Sequence, residues 1–240
     1  MVEQNKVEEQ VAPAPHAEHR IKSFVVRAGR MTEGQIRAIE ELGPKYMVDV
    51  EDLKPLNIDE IFGRTGAPLV VEIGFGMGVS FVQMAKDAPE CNFLGIEVHP
   101  PGVGSALKLI EENQLTNVKV IKYDAFEVLS KCLQPESVDI LQIFFPDPWP
   151  KKRQRKRRLS YPDRLKEYYR RLKKGGKIYF RTDNTDLFND SVEYFKSVNL
   201  YQIEVIEPFL SETQTILSPT EYENKFRAKG VRIHLLIATK

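Results

Sequence analysis

The chain has 240 residues, 42% of them apolar, and a formal net charge of +1. That length suits one α/β domain with a decorated N-terminus, and no apolar run approaches the roughly 20 residues of a membrane-spanning helix. The N-terminus is polar and lacks the apolar core of an export signal, so no export and a cytoplasmic location are expected. Two distant cysteines, Cys91 and Cys132, and four scattered histidines offer neither a disulfide framework nor metal-ligand spacing. No metal is expected.

Residues 1–20 are rich in Glu, Gln, Ala and Pro and read as a disordered tail. Residues 21–68 read as an N-terminal extension: Ile21 to Arg30 is basic and partly apolar, and Thr32 caps a short helix through Leu42. From residue 69 to 240 the pattern is that of a single α/β domain. Strands are predicted at 69–73, 93–97, 118–122, 138–145, 177–182, 202–207 and 231–238. Helices are predicted at 78–87, 103–114, 125–131, 161–173 and 185–198. The early strands are continuous apolar runs, as in sheets covered on both faces. Strand–helix alternation then gives a doubly wound, mostly parallel seven-stranded sheet. The last two strands lack a long helix between them, so an antiparallel edge is expected, with 208–230 as a long loop.

Three acids fall at successive strand ends. Glu72-Ile-Gly-Phe-Gly-Met-Gly78 follows a strand and opens a helix, and Gly74, Gly76 and Gly78 let a ligand approach the backbone. An ordinary tight turn would read alike. Glu97 ends the second strand, where a carboxylate can take both hydroxyls of a ribose. Asp124 ends the third, where it could meet an adenine edge or merely cap the next helix. So acidic a rim suits S-adenosylmethionine, which is cationic and has no phosphate, better than NAD or ATP.

The fourth strand runs into Asp147 between two prolines, and seven cations then fill the eight positions 151–158. Without those seven charges the rest of the chain would carry about −6, so the positive patch is local. A carboxylate at a strand end beside a block of positive charge places chemistry next to a polyanion. Arg153, Arg155, Lys156, Arg157 and Arg158 are the candidate RNA contacts. Trp149 reads equally as a base-stacking platform or as a wedge within its loop. Asp183 reads as a substrate contact or as the cap of the helix starting near Thr185. Thr220 and Glu223 read as a capping box whose hydroxyl and carboxylate could also grip a polar ligand edge.

The runs Glu72-Ile-Gly-Phe-Gly-Met-Gly, Gly95-Ile-Glu-Val-His, Phe145-Pro-Asp-Pro-Trp-Pro-Lys-Lys-Arg, Arg181-Thr-Asp-Asn and Thr220-Glu-Tyr-Glu-Asn-Lys together resemble the bacterial tRNA (guanine-N7-)-methyltransferases, from about Phe24 to the C-terminus. The resemblance implies a class I fold, S-adenosylmethionine as methyl donor and N7 of guanine 46 in the tRNA variable loop as acceptor. It implies that Glu72, Glu97, Asp124 and Asp147 contact the cofactor, with Asp147 also catalytic. It implies that Lys151, Asp183 and the segment Thr220, Glu221, Tyr222 and Glu223 contact the substrate. Gln154 stands where the family often has His, so no proton transfer is placed there, and Pro100 doubles Pro101 where a small residue is expected. A methyltransferase acting elsewhere on RNA, and a non-catalytic RNA-binding subunit, are the alternatives. A monomer is expected, since no amphipathic helix is left over.

Deleting residues 1–20 should leave the melting temperature nearly unchanged, because that segment offers nothing to bury. A calorimetric scan showing a drop of many degrees would refute this.

Overall fold

The structure, a computed structural model, describes residues 21–25, 29–206 and 230–240. Seven strands form one sheet: β1 (Leu69–Ile73), β2 (Asn92–Ile96), β3 (Val118–Ile121), β4 (Val138–Phe144), β5 (Leu172–Thr182), β6 (Gln202–Ile206) and β7 (His234–Thr239). Their spatial order is β3-β2-β1-β4-β5-β7-β6. Strands β1 to β5 are parallel, and β7 runs antiparallel to both β5 and β6. The expected antiparallel edge is this β6–β7 pair, with β7 inserted inside β6.

The helices are α1 (Glu33–Tyr46), α2 (Ile58–Phe62), α3 (Val79–Asp87), α4 (Pro100–Glu112), α5 (Ala125–Glu127), α6 (Pro162–Arg171) and α7 (Thr185–Val198). Alternate strand residues face two cores. Val70 and Phe93 pack under α1, α3 and α4, whereas Val71, Leu94 and Leu141 pack under α2, α6 and α7. Period-two burial on both faces produces the continuous apolar strands read from the sequence.

Five features differ from expectation, some for local reasons and one through a partner distant in sequence. Helix α1 opens on the expected cap, a capping box between Thr32 and Gln35. It continues through Pro44 because Tyr46, 3% exposed, packs against α4 and its hydroxyl donates a hydrogen bond to Glu111. Helix α4 starts three residues early, since two prolines are acceptable in a first turn, where N–H groups have no intrahelical partner. Helix α2 was not expected, although Asn57 caps it and Gly63 ends it at φ +65°. The expected helix 125–131 is a short α-helical turn followed by a π-helical turn, Val128–Cys132. Strand β5 also begins directly after α6, with an irregularity where Val138 faces Leu172 but Ile140 faces Lys177.

Close approach of α4 to the β1–α3 loop fixes the mouth of the sheet. A Cβ on Gly102 would lie 2.3 Å from the Gly76 carbonyl oxygen, and one on Gly78 would lie 2.6 Å from Ala106 Cβ. Backbone cannot step aside as a flexible side chain can. Gly102→Ala should therefore cost about 1–3 kcal/mol, the usual penalty of overpacking. Urea unfolding checks this, and an unchanged midpoint would show that α4 and the β1–α3 loop can separate freely.

Candidate functional site

The loops leaving β1, β2, β3 and β4 meet at the carboxyl edge of the parallel strands, where the strand order reverses between β1 and β4. Open α/β sheets bind ligands in that crevice. Here it is a cleft of about 790 Å³ whose walls include Gly74, Glu97, Tyr123, Phe144, Asp147 and Trp149.

Gly74, Gly76 and Gly78 all have positive φ, at +74°, +59° and +83°, so the loop needs glycine three times. Glu97 organises it. The carboxylate is 8% exposed. One oxygen accepts from Gly76 N at 2.9 Å, and the other accepts from Val98 N at 2.7 Å and His99 N at 3.0 Å. A carboxylate ties the two loops together through three backbone donors.

Glu72 sits beneath, 2% exposed, with its Oε2 lacking a hydrogen-bond partner. Burial pushes its carboxyl up to about 8, with Arg181 opposing and Glu97 adding to the rise. An unpartnered buried acceptor is costly, and a cationic or hydrogen-bond-donating ligand group would satisfy it.

Asp147 is exposed on the opposite wall, in the loop after β4. That loop holds prolines at 146, 148 and 150 and left-handed backbone at Phe145 (φ +49°) and Trp149 (φ +42°). Asp183 lies half-buried after β5. It does not cap α7; its neighbour Asn184 does, accepting from Leu187 N at 2.8 Å. Asp124 realises the capping alternative, accepting from Phe126 N at 2.9 Å. It lines a second cavity of about 660 Å³ that shares Phe24, Val98 and Tyr123 with the first. Thr220, Glu221, Tyr222 and Glu223 lie outside the described residues.

The basic run is not one surface. It forms a short 3-10 turn, Lys152–Arg157. Lys151, Lys152, Arg153 and Lys156 are exposed. Arg155 pairs with Asp190 of α7 at 2.9 Å, and Arg157 stacks on Trp149 at 5.0 Å. Arg158 is 2% exposed and pairs with Asp190. It must be removed from the expected RNA contacts, because a buried guanidinium cannot reach a phosphate.

Trp149 lines the cleft and is tied to the N-terminal segment, its Nε1 donating to the Ser23 carbonyl at 3.1 Å. Sequence reasoning missed this N-terminal strap. Arg157 donates to Lys22 O at 3.2 Å and Arg164 to Ile21 O at 2.8 Å. Ser23, Phe24 and Val25 thereby line the cleft. The available signal was Phe24, an aromatic side chain in a basic, partly apolar segment.

Among the described residues, no group of His, Cys, Asp and Glu could hold a metal ion. None of the described helices is long and apolar enough to cross a membrane.

The sheet order, the glycine loop under a carboxylate and the cleft at the reversal point define a class I methyltransferase. A family model described as "Putative methyltransferase" matches residues 66–236. Similar proteins include a tRNA (guanine-N(7)-)-methyltransferase of Burkholderia vietnamiensis, 43% identical over 94% of this chain and 84% of that protein. Another, from Pseudomonas entomophila, is 49% identical over 70% of this chain and 69% of that protein. The chain belongs to the tRNA (guanine-N(7)-)-methyltransferase family. Two solved structures share the fold at low identity. An antibiotic-related methyltransferase has a TM-score of 0.53 and 16% identity, covering 78% of this chain and 96% of its own. A precorrin-6y C5,15-methyltransferase from Geobacter metallireducens has a TM-score of 0.51 and 15% identity, covering 85% and 86%.

Glu72 has a pH signature. Its pKa is raised on folding from the ordinary 4.5 to about 8. The folded state therefore holds its proton more tightly, and stability should fall as pH rises through that interval. Glu72→Gln, which cannot ionise, should flatten this part of the stability–pH curve. Denaturant midpoints across the interval test it, and parallel curves for the two proteins would remove Glu72 as the cause.

Proposed function

We propose that the protein transfers a methyl group from S-adenosylmethionine to N7 of guanine 46 in the variable loop of tRNA, acting as a cytoplasmic monomer. The observation that carries this reading is the juxtaposition of a cleft lined by the carboxylates Glu97 and Asp147, with Glu72 buried close to Glu97, and the exposed cations Lys151, Lys152, Arg153 and Lys156. The residues fit the methyl donor. Glu72 presents an unpartnered buried oxygen, Glu97 borders the glycine loop, and the positive-φ glycines leave the backbone open to a ligand. When bound, S-adenosylmethionine supplies an activated methyl group on a positively charged sulfur.

Guanine N7 carries a lone pair and no hydrogen, so none of the chain's residues must remove a proton to expose the nucleophile. Their work is orientation and charge. Asp147 stands on the cleft wall where positive charge would accumulate on the methylated purine, and it is the proposed catalytic residue. Asp183, not used as a cap, is the proposed acceptor of hydrogen bonds from the guanine edge. Lys151, Lys152, Arg153 and Lys156, with the outer edges of Arg155 and Arg157, hold the tRNA backbone. The proposal divides the chain into the tail 1–20, the extension 21–68 and the catalytic domain 69–240.

Labelled S-adenosylmethionine with bulk tRNA, followed by mapping of the modified base, tests the assignment; a methyl group on any atom other than guanine N7 would refute it. Asp147→Asn keeps the size and removes the charge. It should bind tRNA normally through the basic loop and lose about 10²–10³-fold in single-turnover rate, the scale of one removed electrostatic stabiliser. A near-normal rate would make Asp147 structural and leave Asp183 as the acid beside the purine.

A further inference from the structure

The loop that carries Asp147 is stiffened by three prolines but has few hydrogen-bond donors of its own. Its three prolines have no N–H to donate, and two of its residues adopt left-handed backbone. Asp147 itself makes no side-chain hydrogen bond to any described residue. What holds the loop comes from outside. Arg158 Nε donates to the Pro148 carbonyl at 2.8 Å, one residue from Asp147, while Arg158 Nη1 pairs with Asp190. Next to Asp190, Ser191 shares a 2.7 Å hydrogen bond with Ser160, so the return of the loop is fastened to α7 at two consecutive residues. Helix α7 is the element that begins just after Asp183.

We propose that Arg158 and Asp190 are positioning residues for methyl transfer: together they brace the Pro148 carbonyl, and hence Asp147, against α7 and keep the loop after β4 in register with the loop after β5. The inference rests on the functional reading above. Three observations favour bracing over RNA contact. Arg158 is 2% exposed. Its guanidinium uses two different nitrogens for two partners, a fork that an ammonium cannot reproduce. Its partner Asp190 also takes Arg155 at 2.9 Å, so this carboxylate lowers the positive charge offered to RNA. A residue selected only to support phosphate binding would do the reverse.

That opposition gives the test. Full-length Arg158→Lys, Asp190→Asn and Asp190→Glu are compared with the unmodified protein. The readouts are melting temperature, tRNA binding across salt concentrations, and single-turnover methylation at saturating tRNA and S-adenosylmethionine. Bracing predicts that Arg158→Lys keeps its tRNA affinity and salt dependence but loses up to about 10²-fold in rate, as misplaced catalytic groups do. Asp190→Asn should be similarly slow yet bind tRNA at least as tightly, because Arg155 is released. Asp190→Glu should recover part of the rate. If Arg158→Lys does not fold, the two Asp190 variants carry the comparison, since that carboxylate is partly exposed. A normal saturating rate in Asp190→Asn would overturn the bracing role, as would weaker tRNA binding with a shallower salt dependence in Arg158→Lys. An unmodified protein that transfers no methyl to tRNA would instead overturn the functional reading, and the bracing role with it.

Discussion

The site depends on the carboxylate of Glu97. It is nearly buried, and burial of an unpaired charge is prohibitive. Three backbone N–H groups, from Gly76, Val98 and His99, supply the compensation, and charge-assisted bonds of this kind are among the stronger ones. Because the donors come from both the β1–α3 and β2–α4 loops, one side chain fixes two walls of the cleft. The rest follows sterically: α4 can start at Pro100 and bring Gly102 against Gly76 only if those loops stay together. A residue read from the sequence as a ligand for ribose is thus also the keystone of the loop it faces.

Glu72 completes the arrangement from below. Burial raises the pKa of Glu72, Arg181 offsets that rise only in part, and Glu97 lies close enough to add a smaller rise of its own. Glu97 has backbone donors, whereas Glu72 has an empty acceptor. The pair therefore divides its labour: one carboxylate builds the wall and the other keeps unspent binding capacity for a ligand. Such a division is common where a buried titratable group has a function beyond folding.

Most of the fold was legible because strand periodicity and glycine placement are local properties. The seven strands, the Thr32 cap and the glycine loop each sit where a few neighbouring residues dictate. What could not be read depends on partners distant in sequence. Continuation of α1 past Gly43 and Pro44 needs Glu111 of α4. The roles of Arg158 and Trp149 need Asp190 and Ser23. Composition marks Arg158 as one of seven cations, and only tertiary packing separates it from Lys156. Asp124 and Asp183 teach a related lesson. Both end strands before helices, yet Asp124 caps its helix and Asp183 leaves that task to Asn184, a one-residue difference that propensity cannot resolve.

The acidic cleft and the basic loop must lie side by side without cancelling. Exposed opposite charges attract over roughly a Debye length, about 8–10 Å at physiological salt, and seven flexible cations next to the rim would tend to fold back onto its carboxylates. The chain limits this by sorting its cations. Asp190 engages Arg155 and Arg158 on the side of α7, and Trp149 and the Lys22 carbonyl engage Arg157. Arg164, just beyond the run, is held by the Lys156 and Ile21 carbonyls. The cations closest in sequence to the loop's return are thereby committed to protein, while Lys151, Lys152, Arg153 and Lys156 stay exposed. Neutralising part of a basic run thus serves binding as well as folding: it leaves the negative field of the cleft intact for a cationic cofactor and directs the remaining positive field outward to a polyanion.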